Sequence, residues 1–268
     1  MIKRIILLAL ALFPLTAVGA GGEGGHPGFW EQPHINLDDK ESLQRGAKLY
    51  TNYCLGCHSA KYQRWMHVSE DLDIPEDVVE EQLIWTTGPD GKRRQVGSKM
   101  TNAMTQQYGT QVFGKAPPDL TLRARSQGPA WVYNYLQAFY LDDSSPTGVD
   151  NAVLQGASMP HVLWGLQGWQ KPVRGGDHGG GGHGEGSDGG GGSGEGQGPI
   201  ESFELVQKGA MSPAEFDRAM NDLVNFMVYL GEPARMDRTQ IGGWVLLFLL
   251  VFLGIAYVLK KEYWKDVH

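Results

Sequence analysis

The chain has 268 residues, 41% of them hydrophobic, and a formal net charge of −7 at neutral pH. That length allows one large domain or two small ones. The negative charge argues against nucleic acid as a partner and favours a basic one, although an acidic surface also serves solubility alone.

The first twenty residues have the layout of a secretory signal peptide. Lys3 and Arg4 form a basic start, an apolar run covers residues 5–12, and small residues lead up to Ala20. The apolar run is too short to span a bilayer. We therefore expect residues 1–20 to be removed after export, and an uncleaved N-terminal anchor is the alternative.

The next part of the chain predicts helices joined by loops. A helix is expected from about Ser42, with Gly46 placed where a close helix contact can use the missing side chain. Helical spacing also predicts a short helix within residues 71–85 and another over residues 129–140. Residues 86–116 have weak periodicity and are expected to be mostly loop. Because no convincing run of strands is present, the predicted fold class is all-α.

Residues 175–198 differ in composition from the rest, since 15 of these 24 positions are glycine. Such a segment cannot form a packed core, and it predicts a flexible surface loop rather than a domain boundary. His178 and His183 are potential metal ligands there, but solvated low-complexity sequence is the favoured interpretation.

The clearest helix of the domain precedes a second apolar segment. Ser212 is a suitable N-cap with Pro213 and Glu215 behind it, and the apolar spacing runs on to Gly231. Residues 241–259 then contain no charge and would rise about 28 Å as a helix, close to the thickness of a hydrocarbon core.

These segments predict a four-part chain. The expected parts are a signal peptide (1–20), an exported domain (21–240), a transmembrane helix (241–259) and a cytoplasmic tail (260–268). The tail carries three lysines, which agrees weakly with a cytoplasmic location because arginines also flank the other end of the helix.

The two cysteines carry the strongest chemical signal. Cys54 and Cys57 lie in the sequence CLGCH, followed at once by His58. Thiols at this spacing can both bond the vinyl groups along one haem edge, and the next residue brings an imidazole under the iron. A thioredoxin-like pair would need a βαβ context, and a zinc site would need further ligands. The motif therefore predicts one covalently attached c-type haem, which also supplies cohesion that a disulfide at this spacing cannot.

The second axial position of the iron is either open, for catalysis, or filled by a side chain, for electron transfer. A methionine thioether favours the ferrous state and raises the reduction potential. Met159 is the best candidate, because small residues precede it and a proline follows it far downstream of the haem motif. Met66, Met100 and Met104 stay open as alternatives, since most methionines only fill space.

Four stretches of the sequence resemble the cytochrome c1 family, the haem-bearing subunits of bacterial cytochrome bc1 complexes (ubiquinol–cytochrome c reductases). They are LQRGAKLYTNYCLGCHSAKY, APPDLTLRAR, GASMPHVLWGLQG and FDRAMNDLVNFMVYLGEPARMDRTQIGGW. The resemblance implies an all-α, cytochrome c-like haem domain with one C-terminal transmembrane helix. It does not extend to the glycine-rich segment, to which we assign no role.

The resemblance also implies roles for individual residues. Met159 would be the sixth iron ligand, and the carbonyl of Pro118 would orient the imidazole of His58. Arg125 would pair with a haem propionate. Trp131 stands where the family often has tyrosine, so that its N–H replaces an O–H near the propionates.

The implied function is a one-electron relay at the periplasmic face of a bacterial inner membrane. Electrons would arrive from a Rieske iron–sulfur protein beside a cytochrome b subunit and leave to a soluble cytochrome c. The chain would not be an enzyme on its own. Two alternatives remain: a catalytic haem protein with an open iron position, such as a peroxidase, and the cytochrome subunit of another membrane enzyme.

Overall fold

The computed structural model describes residues 28–88, 90–175 and 198–265. The predicted signal peptide lies outside the described residues, as does the glycine-rich segment except for Gly175 and Gly198. His178, His183 and the last three residues of the predicted tail are also outside them.

Helices form most of the regular structure. In chain order they are α1 (Lys40–Tyr53), α2 (Trp65–Asp71), α3 (Glu76–Val78), a π-helix (Val79–Leu83), α4 (Gln106–Phe113), α5 (Arg123–Gln127), α6 (Pro129–Gln137), α7 (Trp164–Gln167), α8 (Pro213–Gly231) and α9 (Arg235–Tyr263).

The two long helices of the domain begin where local chemistry predicts. The Asp39 side chain accepts a hydrogen bond from the backbone N–H of Ser42, which caps α1. Ser212 and Glu215 form the predicted capping box at the start of α8. Both helix predictions are confirmed, because caps and apolar spacing are local signals.

The region expected to be mostly loop contains a helix that the sequence analysis missed. The Thr105 side chain caps α4, and Gly114 ends it in the left-handed conformation at φ 72°. Gly109 is the buried residue of this helix. The apolar periodicity is weak because α4 lies on the surface and buries almost nothing.

The all-α prediction is only partly correct, because the described residues include three two-stranded antiparallel sheets. The strands are β1 (Ala60–Arg64) with β2 (Lys99–Met100), β3 (Phe139–Leu141) with β4 (Val149–Asn151), and β5 (Gly168–Arg174) with β6 (Ile200–Lys208). The longest pair flanks the glycine-rich segment in sequence. Its strands were missed because β6 is mostly exposed and lacks alternating apolar residues.

The core of the domain is built on the contact between α1 and α8. A Cβ atom at Gly46 would lie 2.1 Å from the Asp222 carbonyl oxygen and 2.7 Å from the Phe226 Cβ, so only glycine permits this approach. Arg45 donates to both carboxylate oxygens of Asp222, at 2.6 and 3.1 Å. Helices α5 and α6 pack against α8. The contact between α1 and α8 matters for function because α1 leads directly into the cysteine motif.

Tyr229 joins α8 to the segment that follows the motif. Its buried hydroxyl donates to the Asp71 carboxylate at 2.6 Å and accepts from the Gln63 amide at 3.2 Å. Burial, and then the hydrogen bond to Asp71, hold the pKa of Tyr229 far above its ordinary value. The neutral phenol is therefore strongly favoured in the folded protein.

We expect Tyr229 to make the protein sensitive to alkali. A tyrosine in the unfolded chain titrates near pH 10, and the folded state holds Tyr229 neutral to higher pH. Its contribution to the free energy of unfolding is therefore complete below pH 10. Above that pH the contribution falls by about 1.4 kcal/mol per pH unit for one group. The free energy of unfolding, measured with denaturant between pH 8 and pH 11, should fall less steeply with rising pH for Tyr229→Phe than for wild type. Tyr62→Phe, at an exposed ring, is the control, and equal slopes in all three proteins would contradict the expectation.

Helix α9 leaves the domain and carries the candidate membrane span. Residues Ile241–Tyr263 are long and apolar enough to cross a membrane, and none of their most apolar window is buried against the rest of the described chain. The helix extends beyond the predicted 241–259 at both ends. Among the described residues this is the one such helix, consistent with a single C-terminal anchor.

Candidate haem site

The cysteine motif continues α1 as a tight helical turn. The backbone N–H of Cys54 donates to the Tyr50 carbonyl at 2.9 Å, and the N–H of His58 donates to the Cys54 carbonyl at 2.8 Å. The Asn102 side chain fixes the turn by donating to the Leu55 carbonyl at 2.7 Å. The two thiols therefore lie one turn apart on a braced backbone, as attachment along one haem edge requires.

The thiols lack the activation that a redox pair needs. Burial raises the pKa of Cys54 to about 12, and burial also raises the pKa of Cys57. A thioredoxin-like pair depends on a lowered thiol pKa at a helix N-terminus or beside a cation. The motif here lies at the C-terminal end of α1, so this geometry disfavours the thioredoxin-like alternative.

His58 is held in one orientation by a backbone carbonyl. Its Nδ1 lies 2.7 Å from the Pro118 oxygen, which fixes Nδ1–H as the donor because a carbonyl only accepts. Burial lowers the pKa of His58 despite this hydrogen bond, so the imidazole is neutral near pH 7. The other ring nitrogen, Nε2, is left with a lone pair suited to a metal.

These groups border a cavity of about 380 Å³, within the range of cofactor sites. Its wall is mostly apolar and combines segments that are distant in sequence. Those of its residues that bear on haem binding are Cys54, Cys57, His58, Pro118, Arg123, Trp131, Tyr135, Met159 and Met227.

Met159 borders the cavity on a loop whose backbone is bound by the side chain of Asp150. The Asp150 carboxylate accepts the backbone N–H groups of Gly156 and Ala157 at 2.8 and 3.3 Å, and Gly156 turns the chain at φ 70°. Two positions beyond Met159, the buried ring of His161 stacks on Phe139 with centroids 5.2 Å apart. The loop thus presents its methionine from a fixed backbone.

The other candidate methionines differ in whether they line the cavity. Met66, Met100 and Met104 are not among the residues lining the cavity, whereas Met227 is. Met227 lies on the buried face of α8. Among the described residues, Met227 is the one methionine besides Met159 that borders this cavity.

The two arginines of α5 lie on different sides of that helix. Arg123 lines the cavity, with its guanidinium carbon 5.5 Å from the centre of the Trp131 ring. Arg125 is exposed, and it is not among the lining residues. Residues two positions apart on a helix do not share a face, so one of the pair must turn away. The family resemblance assigned the propionate contact to Arg125, whereas Arg123 is the arginine of this pair that lines the cavity.

Tyr135 is a site residue that the sequence analysis missed. Its hydroxyl lies 3.5 Å from the Met159 sulfur, and its ring stacks on Trp131 at a centroid distance of 5.0 Å. Burial raises the pKa of Tyr135 to about 12. The available signal was its position four residues after Trp131, one turn along the same helix face.

The residues present suit a covalent haem. Two adjacent thiols, a neutral imidazole with its tautomer fixed, a thioether and apolar walls border one cavity, while a cation lies beside an aromatic ring in the wall. This is the donor set of a c-type cytochrome, and α9 adds a candidate membrane anchor. Fold and site together define a haem-bearing electron carrier with one candidate membrane span.

Comparison with known proteins agrees with this class. The cytochrome C1 family matches residues 29–165 and 202–267, leaving the glycine-rich segment unmatched. The chain is 42% identical over 266 residues to cytochrome c1 of Allochromatium vinosum, covering 99% of this chain and 100% of that one. It is 40% identical to a protein named ammonia monooxygenase gamma subunit of Nitrosomonas europaea, covering 99% and 98%. It is 25% identical to cytochrome c1 of Cereibacter sphaeroides, covering 100% and 97%.

This chain belongs to the cytochrome c1 family. It is a haem-bearing electron-transport subunit of the respiratory chain, with a covalently bound c-type haem. The expected family, cofactor and class of function are thereby confirmed.

Proposed function

We propose that this subunit relays single electrons with Cys54 and Cys57 as covalent tethers and His58 and Met159 as the axial ligands. When bound, the haem accepts and releases one electron between the ferrous and ferric states. The protein holds its imidazole ligand by the Pro118 carbonyl at 2.7 Å and its thioether ligand on the loop braced by Asp150. No nucleophile or general base is needed, so the chain is a carrier and not an enzyme on its own.

The propionates of the haem would meet the cationic and aromatic part of the wall. The family resemblance assigns this role to Arg125, and the cavity wall adds Arg123 as a second candidate. Trp131 would offer its indole N–H beside them. A guanidinium beside a propionate would favour its ionised form against the cost of burial, because an opposite charge stabilises the charged form.

The electron donor in this proposal is a Rieske iron–sulfur protein, and the acceptor is a soluble cytochrome c. Both would work with a cytochrome b subunit in a bacterial inner membrane, with residues 21–240 in the periplasm after removal of residues 1–20. Residues 241–259 would span the membrane and leave the tail, 260–268, in the cytoplasm. The net charge of −7 supports steering of a basic acceptor, an effect that salt should weaken.

The observation that carries the proposal is the single cavity bordered by both thiols, the oriented imidazole and the Met159 thioether. Its test is purification of the tagged chain from membranes. We expect a cytochrome b subunit with b-type haem and a Rieske centre to co-purify, and we expect quinol to reduce the c-type haem only while the Rieske protein is present.

A second candidate partner set is the one named by the 40% identical relative, an ammonia monooxygenase. The same purification separates the two, because recovery of monooxygenase subunits without cytochrome b would contradict the proposed electron donor.

A further inference from the structure

We propose that Tyr135 is a positioning residue for Met159, donating a hydrogen bond to its sulfur and thereby raising the reduction potential of the haem. This inference rests on the proposed ligation of iron by Met159. Its structural basis is the 3.5 Å approach of the Tyr135 hydroxyl to Met159 Sδ, within the range of a hydrogen bond to sulfur.

The tyrosine ring is fixed in place on several sides. One face stacks on Trp131 with an angle of 8° between the ring planes, and Phe139 packs edge-on at 5.2 Å. The Tyr135 backbone carbonyl accepts the side-chain amide of Asn151 at 2.8 Å, which ties the end of α6 to β4. The hydroxyl is therefore aimed at the sulfur by packing, and little entropy is lost when the hydrogen bond forms.

The geometry leaves the sulfur able to serve two partners. A thioether carries two lone pairs, so it can accept the tyrosine O–H with one and bond a metal with the other. A donor on sulfur withdraws electron density from the metal bond, and the ferric state, which depends more on that density, loses more stability than the ferrous state. The reduction potential consequently rises, and the thioether is held from rotating away.

The direct test is Tyr135→Phe in the full membrane-bound protein, which removes the donor and keeps the ring. We expect a lower reduction potential than in wild type, with the weak far-red band of methionine-to-iron ligation shifted or weakened in the ferric protein. Tyr133→Phe is the matched control on the same helix. Its hydroxyl contacts Asp217, away from Met159, and we expect no change in potential or band.

A second variant guards against a purely structural effect. Replacement of Tyr135 by 3-fluorotyrosine keeps the shape and strengthens the O–H donor, so the potential should rise above the wild-type value. Potentials unchanged in both Tyr135 variants, or shifted in the same direction by both, would overturn the proposal. Absence of the far-red band in wild type itself would instead contradict Met159 ligation, so the failure of the two proposals can be told apart.

Discussion

Replacing Met159 by leucine is expected to abolish the far-red band of the ferric protein and to lower the reduction potential by about 0.1 V or more, since axial ligands set haem potentials over a span of roughly 0.8 V. Leucine keeps the volume and removes the sulfur. The covalent haem should remain, because neither tether is touched. Reduction of the ferric haem by its electron donor should slow accordingly, because a lower potential decreases the driving force of that step, as measured by stopped-flow reduction of the oxidised protein.

Met227→Leu is the decisive control for this prediction. Met227 borders the same cavity and is 3% exposed, whereas Met66 lies away from it. Both Met227→Leu and Met66→Leu should keep the band and the potential near wild type. Loss of the band in Met227→Leu with retention in Met159→Leu would assign the ligand to α8 and contradict our account.

Carbon monoxide provides an independent readout of the same position. A reduced protein with both axial positions filled should show no spectral change on its addition, and Met159→Leu should bind it. Binding by the wild-type protein would favour the catalytic alternative with an open iron position.

Replacing both cysteines by alanine is expected to eliminate covalent haem and to leave the domain poorly folded. The mostly apolar wall of the cavity of about 380 Å³ would lose the covalently held group that it packs against, and burial of apolar surface is the main favourable contribution to folding. Cooperative thermal unfolding should be lost, and the protein should fail to accumulate in membranes.

Replacing one cysteine at a time tests how much each thioether bond contributes to haem retention. Cys54→Ala and Cys57→Ala each keep one tether and the histidine, so each should retain haem at reduced yield with an altered absorption maximum. A double variant that still carried covalent haem would contradict the assigned tethers, and one that unfolded as cooperatively as wild type would contradict the expected loss of folding.

The predictable parts of this fold rest on local chemistry. The capping box at Ser212 and the CLGCH motif each act within a few residues, so the sequence indicates them directly. The pairing of β5 with β6 depends instead on residues separated by the glycine-rich segment. Because β6 is largely exposed, its sequence lacks the alternation of apolar and polar residues from which a strand is predicted.

The site was predictable where the residue type decides the chemistry, as at the two cysteines and His58, or where the family resemblance selects one residue of a type, as at Met159. Cysteine, histidine and methionine are recognisable as haem ligands, and all four predicted ones border one cavity. The resemblance selected Arg125, and only the folded helix α5 shows that Arg123 lines the cavity. Tyr135 is an ordinary core aromatic until the loop carrying Met159 folds against it. Such contacts between distant segments exist only after folding.

Covalent attachment of haem to Cys54 and Cys57 changes the mass of the intact chain, which mass spectrometry of the denatured protein measures. We expect a mass greater than that of the polypeptide by one haem, with visible absorption that stays with the protein. A colourless chain at the mass of the polypeptide alone, with both thiols free to react, would contradict it.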